Sequence, residues 1–424
     1  MQKYALGSQQ DMAKTLVAQA QPGRRTSAAL PEGVRMVHRV LVFLVAGLAL
    51  AAGEKVRYDD HRVYRVLPAN VDQLQFLNGL TKYHKDIYFW KEPSVVNKPA
   101  DVMVSPKMQA SFMEGLEANG IESSVYIDDV QRLIDNERPV REPKASFAFD
   151  DYHSLEEIYA WLDTLVETYP GTVTTVVGGS TYEGREIKGV KISFGDGNPV
   201  AVIEGGMHAL EWATVACMSW FINEILTTDN STVRDVIEQL DFYIFPTTNP
   251  DGYHYTWTTD RLWRKNRQPN PNSTCVGTDV NRNWGFHWGE YDASEDPCAY
   301  NHRGPANFTQ QEVITFADFL LNFGDDLLFY SNFHAYSQVL IFPYGVPNVT
   351  ADNYDELVGP TTGNSIDWMQ GVVGKRYNMV WELRDKGQYG YLLPTDQLIP
   401  TSEEVWDSVV TVLAGVLASS TASP

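Results

Sequence analysis

The sequence predicts an α/β protein: a mixed sheet with helices on both faces, preceded by a small ferredoxin-like α+β unit. Three patterns carry this reading. Residues 63–127 run strand, helix, strand, strand, helix, strand, the order of a split βαβ unit. From Ser154 onward, helical and strand-like stretches alternate, which favours one sheet with helices packed on it. Pro199-Val-Ala-Val-Ile203 is a short apolar, β-branched run of the kind buried in a parallel sheet, and His208 and Glu211 follow it closely.

Taken in order, residues 1–35 are polar and patternless, and are read as a disordered gene-model extension with translation starting at Met36. His38 and Arg39 then precede a continuous apolar run over 40–52 that ends in small residues. Segment 36–52 therefore reads as a secretory signal peptide, too short to span a membrane. Residues 55–142 form the first domain. Val63–Leu67 is a strand, and Asn70 caps a helix over 71–80 with Gln73 at the capping-box position. Strands follow at 87–90 and 100–104, then a helix over 107–119 ended by Gly120, and a strand over 123–127. Residues 131–144 are charged and contain Pro, so they read as an exposed linker open to proteolysis. Pro139 protects Arg138 from a trypsin-like protease, leaving Arg141 or Lys144 as the cleavage site. The second domain, 145–421, opens with Ser154-Leu-Glu-Glu157, a capping box ahead of a helix stopped by Pro170-Gly171. Its last helix is expected to be capped by Thr401 with Glu404, and carries Val405, Val409, Val412 and Val416.

Composition excludes some partners. With 33 basic and 54 acidic residues the net charge is −21, which would repel nucleic acid and anionic membranes. Hydrophobic residues at 43% suffice for a packed core. Of three cysteines, Cys217 lies in an apolar run and reads as a buried free thiol. Sequons begin at Asn230, Asn272, Asn307 and Asn348, in keeping with a secretory route.

The chemistry rests on side-chain type and order. His208 and Glu211 stand three positions apart just past a predicted strand, the edge where open α/β sheets place their sites. His334 follows a second strand-like run, Leu327–Phe333. Two histidines and one glutamate are a set that leaves zinc an open position for water. A lone His-x-x-Glu is usually chance; here Asp260-Arg-Leu-Trp-Arg-Lys265, Asp279-Val-Asn-Arg-Asn-Trp284, His334-Ala-Tyr-Ser-Gln338, Ser365-Ile-Asp-Trp368 and Glu382-Leu-Arg-Asp385 follow in order. In this order the motifs resemble the A/B subfamily of zinc metallocarboxypeptidases, over roughly residues 60–418.

That resemblance implies an eight-stranded-type sheet, an inhibitory propeptide over 55–142, and one zinc ion held by His208, Glu211 and His334. It implies Glu382 as the base and Arg264 as oxyanion stabiliser. Asn281 and Arg282 would grip the substrate's free carboxylate, Arg261 would add contacts, and Tyr336 and Tyr391 would line the cleft. It pairs Cys275 with Cys298. Ile366, at the base of the pocket for the C-terminal side chain, implies preference for apolar or aromatic residues. The expected partners are peptides with a free C-terminus and an activating trypsin-like protease, with no nucleic acid, no membrane once the signal is removed, and a monomeric state.

Two departures bear on activity. Leu210 stands where the subfamily often has an arginine that contacts substrate further from the scissile bond. Only 19 residues, 346–364, separate Gly345 from Ser365, where the subfamily carries a helix, a strand and a tyrosine that closes over substrate. The short stretch reads either as a gene-model loss or as the mark of a catalytically impaired, zinc-binding paralogue that holds peptide C-termini.

Overall fold

The computed structural model describes residues 54–80, 86–138, 146–345 and 362–421. The expected leader segments, the cleavage sites at Arg141 and Lys144, and Asn348 lie outside these residues.

The first domain follows the predicted order: β1 (Arg62–Leu67), α1 (Val71–Leu80), β2 (Ile87–Lys91), β3 (Ala100–Val104), α2 (Gln109–Ala118) and β4 (Glu122–Ile127). Its sheet runs β2-β3-β1-β4, with every neighbour antiparallel. Tyr64 and Val66, Leu77, Phe89, Val102, Phe112 and Leu116 form its own buried core. The cap of α1 differs from the predicted box. Asn70 Oδ1 accepts from Gln73 N at 3.0 Å, but the Gln73 side chain reaches one residue further back, to Ala69 N at 2.6 Å. It also donates to the carbonyls of Asn119 and Gly120, tying α1 to the end of α2.

The expected exposed linker is a correction. Its first half is a helix, α3 (Val130–Glu137), capped by Asp129, with Gln131 and Glu137 buried. Polar residues stay buried there because they find distant partners: Gln131 Oε1 accepts from Tyr58 N at 2.7 Å, and Glu137 pairs with Arg261. The described residues Arg138 and Ser146 border the remainder of that stretch.

The second domain comprises α4 (Leu155–Thr168), β5 (Val173–Ser180), β6 (Glu186–Ile192), β7 (Val200–Glu204), α5 (Trp212–Thr227), α6 (Ser231–Ile237), β8 (Asp241–Phe245), α7 (Pro250–Thr258), α8 (Gln311–Leu321), β9 (Leu327–Ala335), β10 (Val339–Ile341), α9 (Ser365–Gly371), β11 (Tyr377–Leu383) and α10 (Leu398–Thr421). Ser154 and Glu157 form the full reciprocal capping box on α4, whose Leu155, Ile158, Leu162 and Leu165 are buried. The last helix begins three residues before the expected cap. Thr401 lies inside it and bonds Gln397 O, while Glu404 pairs with Arg384. Pro400 is tolerated because the first helical turn has no carbonyl partner for its N–H. Trp406, Val409, Leu413 and Val416 of α10 are buried, and Val405 and Val412 pack half-buried against the same cluster.

Among the described residues the sheet has seven strands, in the order β10-β11-β9-β7-β8-β6-β5. Strands β8, β7, β9 and β11 are mutually parallel, so their C-terminal ends share one edge. One apolar cluster covers a sheet face and continues into the first domain through Val63, Trp90, Met103 and Ile127. A second covers the opposite face with Phe245, Phe316, Tyr330 and Met369. Cys275 and Cys298 are bonded, with Cα atoms 5.1 Å apart, and Cys217 is free and buried. No helix among the described residues is long and apolar enough to cross a membrane.

Candidate active site

The shared strand edge places the chemistry. Just past β7 the chain turns sharply at Gly206, whose φ of +59° and close approach to Thr247 leave no room for a side chain. That turn sets His208 and Glu211 against the end of β9, where His334 stands. One metal-ligating atom from each of the three lies within 4.8 Å of the others, and all three are buried. Both imidazoles present Nδ1 to the same carboxylate: His208 at 2.8 Å from Glu211 Oε1 and His334 at 2.9 Å from Oε2. Burial would raise the Glu211 carboxyl, but His208 and His334 outweigh it and hold it at about 2. Two neutralisable nitrogens and one ionised oxygen, buried and converging, suit a divalent ion of zinc's preferences.

Asp279 lies within one of the sequence motifs, where nothing in the sequence gives it a role. Its Oδ1 sits 3.0 Å from His208 Nε2, and its Oδ2 accepts from Arg264 at 3.0 and 2.9 Å. It is fully buried; Arg264 and His208 overcome the cost of burial and keep it well below the ordinary carboxylate range. One carboxylate thus fixes the ring of a candidate ligand and the direction of a candidate oxyanion donor. The only signal in the sequence is an acid two positions before Asn281.

Glu382 lies on β11 as the register partner of His334 on β9. Burial pushes its carboxyl up to about 8; the Glu211 charge adds to the rise, while His334 and Arg264 oppose it. Asn281 Nδ2 stands 3.2 Å from His334 Nε2, and its Oδ1 accepts from Ser365 N at 3.2 Å. Arg282 is nearly buried and is held by Asp292, which accepts from Nη2 at 2.6 Å through its carboxylate and from Nε at 2.8 Å through its carbonyl. Burial works against the Arg282 charge, and Asp292 and Asp279 more than compensate, so its pKa is raised. Ile366 is buried in the second apolar cluster, with Met207, Val280 and Met369.

The remaining expected residues meet the first domain. Arg261 donates to Glu137 from both Nε (2.7 Å) and Nη2, to Leu210 O at 2.8 Å and to Tyr391 O at 3.0 Å, and its guanidinium lies 3.9 Å above Trp212. Tyr336 donates to Asp101 at 3.0 Å, and Tyr391 donates to Trp90 O at 3.0 Å. The half-buried Glu92 enters the field of Arg282 and Arg264, and its Oε1 has no hydrogen-bond partner among the described residues. The first domain therefore covers the edge at which the candidate residues gather.

Comparison with known proteins decides the family. A profile of zinc carboxypeptidases matches residues 158–358 and 348–408, and one of carboxypeptidase activation peptides matches residues 64–137. The chain belongs to the zinc carboxypeptidase family. The enzyme is 46% identical over 290 residues to a zinc carboxypeptidase of Simulium vittatum, covering 62% of this chain and 95% of that relative. It is 35% identical over 413 residues to zinc carboxypeptidase A 1 of Anopheles gambiae (90% and 95%) and 36% identical over 391 residues to carboxypeptidase A2 of Mus musculus (84% and 93%). The crystal structure of thrombin activatable fibrinolysis inhibitor superposes with a TM-score of 0.77 at 29% identity, over 85% of this chain and all of that one. Carboxypeptidase A from Helicoverpa armigera shares the fold, with a TM-score of 0.76 at 24% identity over 85% and 98% of the two chains. With an activation-peptide domain ahead of the catalytic one, the enzyme is of the procarboxypeptidase A-like kind.

Proposed function

We propose that this carboxypeptidase is a secreted zymogen that removes apolar or aromatic residues from peptide C-termini. The observation that carries the reading is the meeting of His208, Glu211 and His334 with Glu382, Arg264 and Arg282 at one sheet edge. Zinc bound by the three ligands supplies Lewis acidity and a water of lowered pKa. Glu382, level with His334 on the adjacent strand, takes the proton of the attacking water and delivers it to the leaving amine. Arg264, aligned by Asp279, donates to the carbonyl oxygen as negative charge builds there. Asn281 and Arg282 hold the substrate's terminal carboxylate, which restricts cleavage to the last peptide bond. Ile366 gives the side-chain pocket an aliphatic floor without charge, which favours apolar residues.

The domain proposed as propeptide, 55–142, occupies Tyr336, Tyr391 and Arg261, so a trypsin-like cut in the following linker precedes full activity. The disulfide and the exposed sequons at Asn230, Asn272 and Asn307 accord with secretion, and we assign the enzyme a monomeric state. A second reading, a peptide-binding paralogue of low activity, draws on Leu210 and the short 346–364 stretch. The deciding experiment treats purified protein with trypsin and assays a blocked dipeptide ending in Phe, with and without chelator. Chelator-sensitive hydrolysis faster than for a substrate ending in Arg is expected. No hydrolysis leaves the binding reading, and faster release of Arg overturns the pocket assignment.

A further inference from the structure

We propose that Asp292 is a positioning residue that sets Arg282 for the substrate's terminal carboxylate. The inference rests on the reading of Arg282 as that grip. Asp292 meets the guanidinium from one side with two acceptors, its carbonyl on Nε (2.8 Å) and its carboxylate on Nη2 (2.6 Å), while Asn281 O accepts from Nη1 at 3.1 Å. Three of the five guanidinium N–H groups are thus used, one per nitrogen, leaving one N–H on each terminal nitrogen. Those two suffice for a two-bond grip on an incoming carboxylate. The arginine stem has several rotatable bonds, and a guanidinium already pinned loses less freedom when substrate binds.

Asp292 is itself built into place. Its second carboxylate oxygen accepts from Asn301 Nδ2 at 3.2 Å. Next to it, Tyr291 N donates to Thr362 Oγ1 at 3.0 Å, and Ser294 bonds Asn301 O and accepts from Arg303 N. The loop carrying it ends at Cys298, whose bond to Cys275 closes it against the segment leading to Asp279. At φ +43° Asp292 also occupies the left-handed region, which glycine takes freely and which aspartate and asparagine enter more readily than other side chains.

The left-handed backbone makes the test clean, because Asp292→Gly removes the carboxylate while easing the backbone, and Asp292→Asn restores an acceptor in a residue tolerant of that conformation. On trypsin-activated enzyme with a blocked dipeptide ending in Phe, Asp292→Gly should raise KM roughly ten-fold with kcat within about two-fold, the share of arginine rotamer freedom then lost on binding. Asp292→Asn should return KM to within about three-fold of the parent. Inhibition by free phenylalanine should weaken in parallel in Asp292→Gly, while sensitivity to a zinc chelator stays unchanged. An Asp292→Gly KM equal to the parent, or lower, overturns the inference, as does an equal fall in kcat. Arg282→Ala is the control: a KM unmoved by it refutes the grip itself, whereas a large rise with Asp292→Gly silent refutes only the positioning role.

Discussion

Glu137→Gln should turn a quiet zymogen into a leaky one. In the native pair Arg261 faces a buried carboxylate through two charge-assisted bonds, with both side chains almost fully shielded from water. Removing one partner of such a pair costs about 3–5 kcal/mol when the other charge is left unpaired. Arg261 is not left bare, since Leu210 O, Tyr391 O and the face of Trp212 remain. The loss should therefore be smaller, about 2–3 kcal/mol, taken entirely from the state in which the first domain covers the site. At about 1.4 kcal/mol per decade, the open population rises roughly 30- to 150-fold. The assay compares hydrolysis of a blocked dipeptide by uncleaved zymogen with hydrolysis after trypsin. Basal activity should rise in that proportion, while the trypsin-activated variant matches the parent, because Glu137 leaves with the propeptide. Equal basal activity in variant and parent, with the variant folded, would refute the argument that α3 latches the domain through Arg261.

Four further outcomes are expected. Asp279→Asn keeps the shape of the carboxylate but removes its charge from His208 and Arg264, so zinc affinity measured by competition with a chelator should fall about 10- to 100-fold. Glu382→Gln should retain zinc yet lose about 10²- to 10⁴-fold in kcat, and an unchanged rate would place the base elsewhere. Ile366→Asp should move the preferred C-terminal residue from Phe toward Lys or Arg, read as a reversal of the kcat/KM ratio. Glu312 is a test by pH. Burial raises its carboxyl to about 7, so the folded state holds a proton that the unfolded state has lost between about 4.5 and 7. Stability should fall as pH rises through that window, by up to about 3 kcal/mol from this group, and Glu312→Gln should flatten the slope of denaturant midpoints against pH.

Local signals were legible and distant partnerships were not. The Ser154 and Glu157 box, the βαββαβ order and the buried strand before His208 all depend on neighbours within a few residues, and each formed as read. Segment 130–137 looks like solvated linker because its composition is polar; its burial depends on Tyr58 and Arg261, far away in the chain. Thr401 carries the residue pattern of a cap, but the helix extends back through Pro400, whose ring the first turn accommodates. At the site, His208, Glu211 and His334 were readable because ligand types are few and the resemblance fixed their order. Asp279 and Asp292 were not, since aspartate is an ordinary loop and turn residue. Their importance comes from which nitrogen, 71 or 10 residues away, each happens to face.

The pairing of His334 with Glu382 on adjacent parallel strands makes the sheet a ruler for the reaction. Neighbouring strands stand about 4.8 Å apart, and side chains alternate between faces at every residue. A slip of β11 by one position would send Glu382 to the opposite face and bring Trp381 or Leu383 level with His334. There is no half-way register between those states. Damage to the core beneath these strands should therefore subtract whole molecules from the active pool, leaving the survivors with an unaltered turnover number.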